Sequence, residues 1–124
     1  MPEYHFSKTH EWIAKIGDNY RMGISDFAQS QLGDITFIEL PDPGTHFEAR
    51  DSVGTIESVK AVSEFFAPLS LKVLNVNDVL EDQPELINED PLGEGYLLEI
   101  EILKPNQLDE LMDAVAYEEL DKSE

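Results

Sequence analysis

The chain of 124 residues predicts a mainly β, single-domain fold built as a sandwich or barrel of antiparallel strands. Short alternating or β-branched runs recur roughly every eight to twelve residues, punctuated by Gly, Pro, Asn and Asp. A helical period of 3.6 appears clearly only near the C-terminus. The length suits one domain, 1–124, that buries about two thirds of the surface its unfolded chain exposes, so a core forms without staples.

Each element has its own signal. Glu11 to Ile16 alternates around Trp12 and reads as a strand. Gly17-Asp18-Asn19 is turn chemistry, and Tyr20 to Ile24 returns as the partner strand. Ser25 or Asp26 caps a short helix through Leu32, with Phe27, Ala28 and Leu32 on its inner face and Gly33 as a left-handed stop. Ile35 to Leu40 is a strand ended by Pro41-Asp42-Pro43-Gly44, which neither continues a ladder nor starts a helix.

Phe47 to Ala49 and Ser52 to Ser58 lead up to a hairpin, and Ser63 to Ala67 leads away from it until Pro68. Leu71 to Val76 is another strand. Between Asn77 and Gly95 the chain is acidic and broken by Pro84, Pro91, Gly93 and Gly95, predicting one or two helical turns in a long loop. Tyr96 to Ile102 closes the sheet. After Pro105 and the candidate cap Asn106, residues Leu108, Leu111, Met112 and Val115 fall at i, i+3, i+4 and i+7, which predicts an amphipathic C-terminal helix packed on the core. The tail over 121–124 is expected to fray.

The hairpin tip carries the most informative lysine. Only eight Lys and Arg face twenty-seven Asp and Glu. Lys60 lies between Val59 and Ala61, with Glu57 three residues before it and Glu64 four after. The approach Val53, Thr55, Glu57, Val59 alternates as a strand does. No Gly, Asn or Asp marks the tip, so a type I turn is expected over one with positive φ, giving a rigid tip with Lys60 in water. On composition alone, Lys60 is an ordinary solubilising lysine.

The formal charge of −19 repels nucleic acid and anionic membranes and favours partners with basic rims. With no cysteine, the chain has no disulfide framework and no Cys-based metal or nucleophile site. Thiol chemistry has to come from an attached group. The N-terminus Met1-Pro2-Glu3-Tyr4-His5-Phe6 lacks signal or transit features, and no apolar run approaches membrane-spanning length. A cytoplasmic protein is the expectation, with a mature organellar form as the alternative.

Several blocks carry a family resemblance. Glu57-Ser58-Val59-Lys60-Ala61-Val62-Ser63-Glu64 with Ala67-Pro68 resembles the lipoylation site of the glycine cleavage system H proteins. In order along the chain, Lys8-Thr9-His10-Glu11-Trp12, Gly23-Ile24-Ser25-Asp26-Phe27-Ala28-Gln29 and Leu32-Gly33-Asp34-Ile35 agree with that family. So do Phe37-Ile38-Glu39-Leu40-Pro41, Pro84-Glu85-Leu86-Ile87-Asn88 and Gly93-Glu94-Gly95-Tyr96.

The resemblance implies a flattened barrel or sandwich of two antiparallel sheets, the barrel-sandwich hybrid of lipoyl and biotinyl carriers. It implies (R)-lipoate joined by an amide to Lys60, on an arm of roughly 14 Å. The chain is then a carrier and co-substrate, not an enzyme. It takes an aminomethyl group from a pyridoxal-phosphate glycine decarboxylase (P protein) to a tetrahydrofolate-dependent aminomethyltransferase (T protein). A dihydrolipoyl dehydrogenase (L protein) then reoxidises it.

A lipoate-attaching enzyme is the further partner, with Glu57, Ser58, Val59, Ala61 and Glu64 as its recognition frame. The positions matching the family's cleft for the loaded arm are Thr9, Glu11, Gln31 and Glu64. A monomer is expected, with no bound metal.

Ser70-Leu71-Lys72 departs from the family's usual Ser-Gly, and Leu71 is expected to strain a turn there unless the turn changes type. Other readings fit less well. A biotin carrier flanks its lysine with methionines, and a 2-oxoacid dehydrogenase lipoyl domain places Asp before it. A metal hydrolase built on His5, His10 and His46 lacks the HExxH spacing. A lipoyl-relay protein, or a paralogue outside glycine cleavage, uses the same Lys60 and stays open.

Overall fold

In the computed structural model the described residues are 3–123, with side chains described as far as Glu119. The end of the tail expected to fray, and the side chains of 120–124, lie outside them.

Among the described residues, nine strands form two antiparallel sheets. They are β1 (Tyr4–Phe6), β2 (Glu11–Ile16), β3 (Asn19–Ile24), β4 (Ile35–Glu39), β5 (His46–Phe47), β6 (Ser52–Ser58), β7 (Val62–Phe66), β8 (Leu71–Val76) and β9 (Leu98–Ile102). The larger sheet runs β1-β2-β3-β9-β8-β5 and the smaller β4-β6-β7. The sheets make a sandwich and do not close into a barrel, so the sandwich half of the expected architecture is the one that holds.

Their inner faces meet on one core. Ile13, Met22, Leu71, Val73, Leu98 and Ile100 come from the large sheet, and Ile38, Val53, Ile56 and Phe65 from the small one. β2 is buried on both faces: Ile13 points into that core while Trp12 and Ala14 point the other way, into a second cluster with Phe6 and Tyr117. Alternation along a strand requires this division. The Trp12 indole donates to the Pro91 carbonyl at 3.0 Å, which satisfies its buried N–H.

Helix α1 (Asp26–Leu32) follows β3. Ser25 caps it, its Oγ accepting from Ala28 N at 3.1 Å. Seven residues are too few for a stable isolated helix. Ala28 and Leu32 therefore pack on the core, while Phe27 rests against the His10 ring, 4.8 Å away. The acidic loop holds two single turns, α2 (Val79–Asp82) and α3 (Leu86–Glu89), which drop Leu80 and Ile87 into the core.

Three expectations need correction, and one strand adds to those expected. The first strand, Tyr4–Phe6, was not anticipated. Val53 does not share a face with Thr55 and Glu57. The pairing shifts between Ser52 and Gly54, and this bulge lets Val53 and Ile56, three residues apart, both reach the core.

Leu71 creates no strained turn: it is fully buried as the first residue of β8, paired with Phe47 and Ile102. The continuous C-terminal helix is divided. A 3-10 helix spans Pro105–Glu110, Met112 pairs with Phe6 as an extended bridge, and α4 (Ala114–Ser123) begins only after Asp113. Two backbone bonds between Phe6 and Met112, at 2.7 and 2.8 Å, demand an extended residue where the helix would continue. Leu108 and Leu111 still pack on the core, but Val115 is 71% exposed, and among the described side chains of α4 it is Tyr117 that is buried.

Candidate functional site

Lys60 stands at the tip of the β6–β7 hairpin. Ser58 N donates to Ala61 O at 2.8 Å to close the turn. Ser58 Oγ accepts from Lys60 N at 3.3 Å and from Ala61 N at 3.2 Å. Among the described residues only His10 and Arg50 are non-glycines with positive φ, so the tip needs no left-handed residue. The lack of positive φ matches the absence of Gly, Asn and Asp from the tip.

The tip is fastened to the segment between α1 and β4. Val59 N donates to Asp34 O at 3.0 Å. Gly33, at φ 77°, faces the lysine stem: a Cβ there would lie 3.1 Å from Lys60 Cε and 3.6 Å from Nζ. Only a residue without a side chain leaves that space to the lysine. The backbone of Lys60 is therefore held while its side chain remains exposed. Amide attachment of an acyl group needs an accessible amine on a fixed base, and these residues fit it.

Glu57 pairs with both Phe37 and Val62, and Glu64 pairs with Thr55, so register puts both carboxylates on the outer face of the small sheet. Ser52 Oγ donates to Glu64 Oε1 at 3.1 Å. Apolar surface is exposed on and beside that face: Phe37 is 50% exposed, and Val59 and Val62 are each 66% exposed. Ser58 and Ala61 form the turn itself.

Of the expected cleft residues, Thr9 and Glu11 are brought together by a hydrogen bond, while Gln31 and Glu64 stand on other elements. Glu11 is buried, and its Oε1 accepts from Ser7 Oγ at 2.7 Å and from Thr9 Oγ1. Its Oε2 accepts from Phe66 N at 3.1 Å, so this carboxylate ties the large sheet to the edge strand of the small one. Burial pushes the Glu11 carboxyl above its usual 4.5, opposed first by the Thr9 and Ser7 hydroxyls and then by the Phe66 amide. His10 holds φ 74° just before it, a conformation His tolerates better than most residues.

A groove of about 560 Å³ opens beside this carboxylate, lined by Ser7, Thr9, Arg50, Ala67 and Pro68 among others. Of the four cleft residues, Thr9 alone lines it. Gln31 is exposed on α1 and Glu64 on β7. The histidines are likewise scattered over β1, the Ser7–His10 turn and β5. Among the described residues no three His, Asp or Glu are placed to hold a metal ion.

Sequence reasoning missed Asn88. Its Nδ2 donates to Gly33 O at 2.8 Å and to Gln29 Oε1 at 2.9 Å, and its Oδ1 accepts from Ile35 N at 2.9 Å. Its block had been matched to the family, but nothing local told what the carboxamide holds.

Residues 4–124 match the family described as glycine cleavage H-protein. The chain belongs to the glycine cleavage H-protein family. It is 51% identical over 118 residues to a glycine cleavage system H protein of Anaeromyxobacter sp. (strain K), covering 94% of this chain and 92% of that one. A relative of the same name from Halalkalibacterium halodurans is 48% identical, with 95% and 92% covered. The crystal structure of a glycine cleavage system H protein from Mycobacterium marinum superposes with a TM-score of 0.83 at 33% identity, covering 92% of each chain. Members of this family are carriers, not catalysts. Among the described residues of this one, no helix is long and apolar enough to cross a membrane.

Proposed function

We propose that this chain serves as the lipoyl carrier of glycine cleavage, with (R)-lipoate attached to Lys60. The observation that carries the assignment of the site is a fixed hairpin tip with an exposed lysine whose stem occupies the space left by Gly33. When bound, lipoate supplies a dithiolane that accepts an aminomethyl group with two electrons and is later reoxidised.

The chain's own residues hold and present that arm. Ser58, Val59 and Ala61 set the tip. Glu57, flanked on the outer face by Phe37 and Val62, and Glu64 form the frame that the lipoate-attaching enzyme reads. The glycine decarboxylase, the aminomethyltransferase and the dihydrolipoyl dehydrogenase are the partners in turn. A chain of formal charge −19 attracts basic partner rims at low salt. Its close relatives in bacteria support a cytoplasmic site of action.

Intact mass from the native source tests this. Lipoylation adds about 188 Da as an amide on one lysine. The gain is expected in the wild type, absent in Lys60→Arg, and accompanied by loss of glycine cleavage in that variant. An unmodified chain in cells competent for lipoylation overturns the assignment. A modified chain whose Lys60→Arg variant leaves glycine cleavage intact points to lipoyl relay.

A further inference from the structure

Lys60 rests on three consecutive residues, Gly33, Asp34 and Ile35, and one side chain on a different element holds that segment in place. Gly33 gives space to the lysine stem, and Asp34 O receives the Val59 amide. Gly33 O and Ile35 N, on either side of Asp34, both bond to the Asn88 carboxamide in α3. The second Asn88 N–H goes to Gln29 Oε1 in α1.

The orientation of the amide is determined by its partners. Reversing oxygen and nitrogen would set the NH2 against the Ile35 N–H and the oxygen against two acceptors. Both donors and the acceptor oxygen are thus engaged, and all three bonds end on α1 or the segment after it. Apolar anchoring of α3 falls to Ile87, which is fully buried beside it. The buried Ile87 thus gives α3 an apolar anchor of its own, while the carboxamide of Asn88 makes its bonds to α1 and to the platform under the hairpin tip.

We propose that Asn88 is a positioning residue for Lys60: through Gly33 and Asp34 it holds the hairpin tip in the pose in which the lysine amine meets an activated lipoyl group. The inference rests on Lys60 being the attachment site. In attachment, Nζ, as the free amine, forms the amide bond with the carbonyl carbon of lipoyl adenylate as the bond to AMP breaks and AMP leaves; Nζ gives up one proton to solvent and keeps the other as the amide N–H. Freeing the segment 33–35 widens the spread of Nζ positions. A displacement near 1 Å costs up to about a hundredfold in rate. The loss falls on kcat more than on KM for the chain.

Asn77 is the matched control. Its Nδ2 also bridges two carbonyls, Glu94 O at 2.9 Å and Tyr96 O at 2.8 Å, and it makes no bond to the segment 33–35. The full-length unmodified chain is incubated with lipoate, ATP and a lipoate–protein ligase, and the mass gain is followed well below the melting temperature of every variant.

Asn88→Ala is expected to lower kcat roughly tenfold or more, and Asn77→Ala to stay within about twofold of wild type. Asn88→Asp keeps the acceptor for Ile35 N but loses both donors. It is expected to be slowed as well, and it carries the test should the alanine variant not fold. Wild-type rates in a folded Asn88 variant overturn the inference, as does an equal loss in Asn77→Ala. No gain on wild type, or an undiminished gain on Lys60→Arg, overturns the assignment of Lys60 and this inference with it.

Discussion

The stem of Lys60 crosses Gly33 so closely that a Cβ on the glycine would lie 3.1 Å from the lysine Cε. Gly33 also sits at φ 77° and ψ −158°, a region essentially restricted to glycine, so Gly33→Ala combines backbone strain of about 1–3 kcal/mol with pressure on the lysine. Gly17→Ala separates the two effects, because Gly17 has φ 67° and nothing within 4 Å of a built Cβ. Both variants are expected to lose stability in denaturant melts. Only Gly33→Ala should also slow lipoylation of the folded chain. Equal lipoylation rates would show that the contact has no consequence.

Ser58 clips the turn through its hydroxyl, which accepts from the amides of Lys60 and Ala61. Ser58→Ala leaves the bond from Ser58 N to Ala61 O and removes the rest. The site is exposed and both bonds exceed 3 Å, so the loss belongs at the low end of the usual range, about 0.5 kcal/mol. Hydrogen exchange checks it. The Lys60 and Ala61 amides should exchange faster while those of β6 paired with β4 keep their protection.

Much of the hairpin was legible because local rules decide it: β-branched alternation on both arms and no residue asking for positive φ. The platform beneath it was not. Asn88 reaches Ile35, Gly33 and Gln29 across 53, 55 and 59 residues of sequence, and a short-range pattern carries no trace of such pairs. The blocks Leu32-Gly33-Asp34-Ile35 and Pro84-Glu85-Leu86-Ile87-Asn88 were both visible as family matches, yet only the fold sets one on the other.

The C-terminal helix failed for the opposite reason. Leu108, Leu111 and Met112 do keep a helical spacing, but the bridge between Phe6 and Met112 requires an extended backbone, and tertiary pairing overrode periodicity. β1 was invisible because three residues are too few to show alternation. The Gly54 bulge hid which way Val53 points, since a slip of one residue exchanges the faces of a strand.

Tyr117 fastens α4 to the rest of the chain. Its hydroxyl lies 2.6 Å from both His10 Nδ1 and Ser25 Oγ, and its ring stacks on Phe6 at 4.3 Å. Tyr117→Phe keeps the stacking and leaves Ser25 to cap α1, but it removes one hydroxyl shared by two part-buried or buried partners. A loss of about 1–2 kcal/mol is expected in denaturant melts. Proteolysis at α4 should become faster while β6–β7 stays intact. A variant as stable as wild type would mean that stacking alone holds the helix.

Glu11 gives the chain a pH dependence of definite sign. Its folded carboxyl is held above the usual 4.5, chiefly by burial, so between that value and its raised folded value the native state binds more protons than the unfolded one. The stability from this group is fully present below about pH 4.5 and is lost as pH rises through the folded value. Glu11→Gln removes the titration. Its remaining oxygen can accept from Phe66 N while its NH2 donates to the Ser7 and Thr9 hydroxyls, which rotate to accept. Urea midpoints of both proteins from pH 4 upward isolate Glu11, because the other carboxylates are common to each and cancel in the difference. The wild type is expected to lose stability relative to Glu11→Gln as pH rises. A difference that is flat, or that grows in favour of wild type, would mean that the three donors outweigh desolvation at this carboxylate.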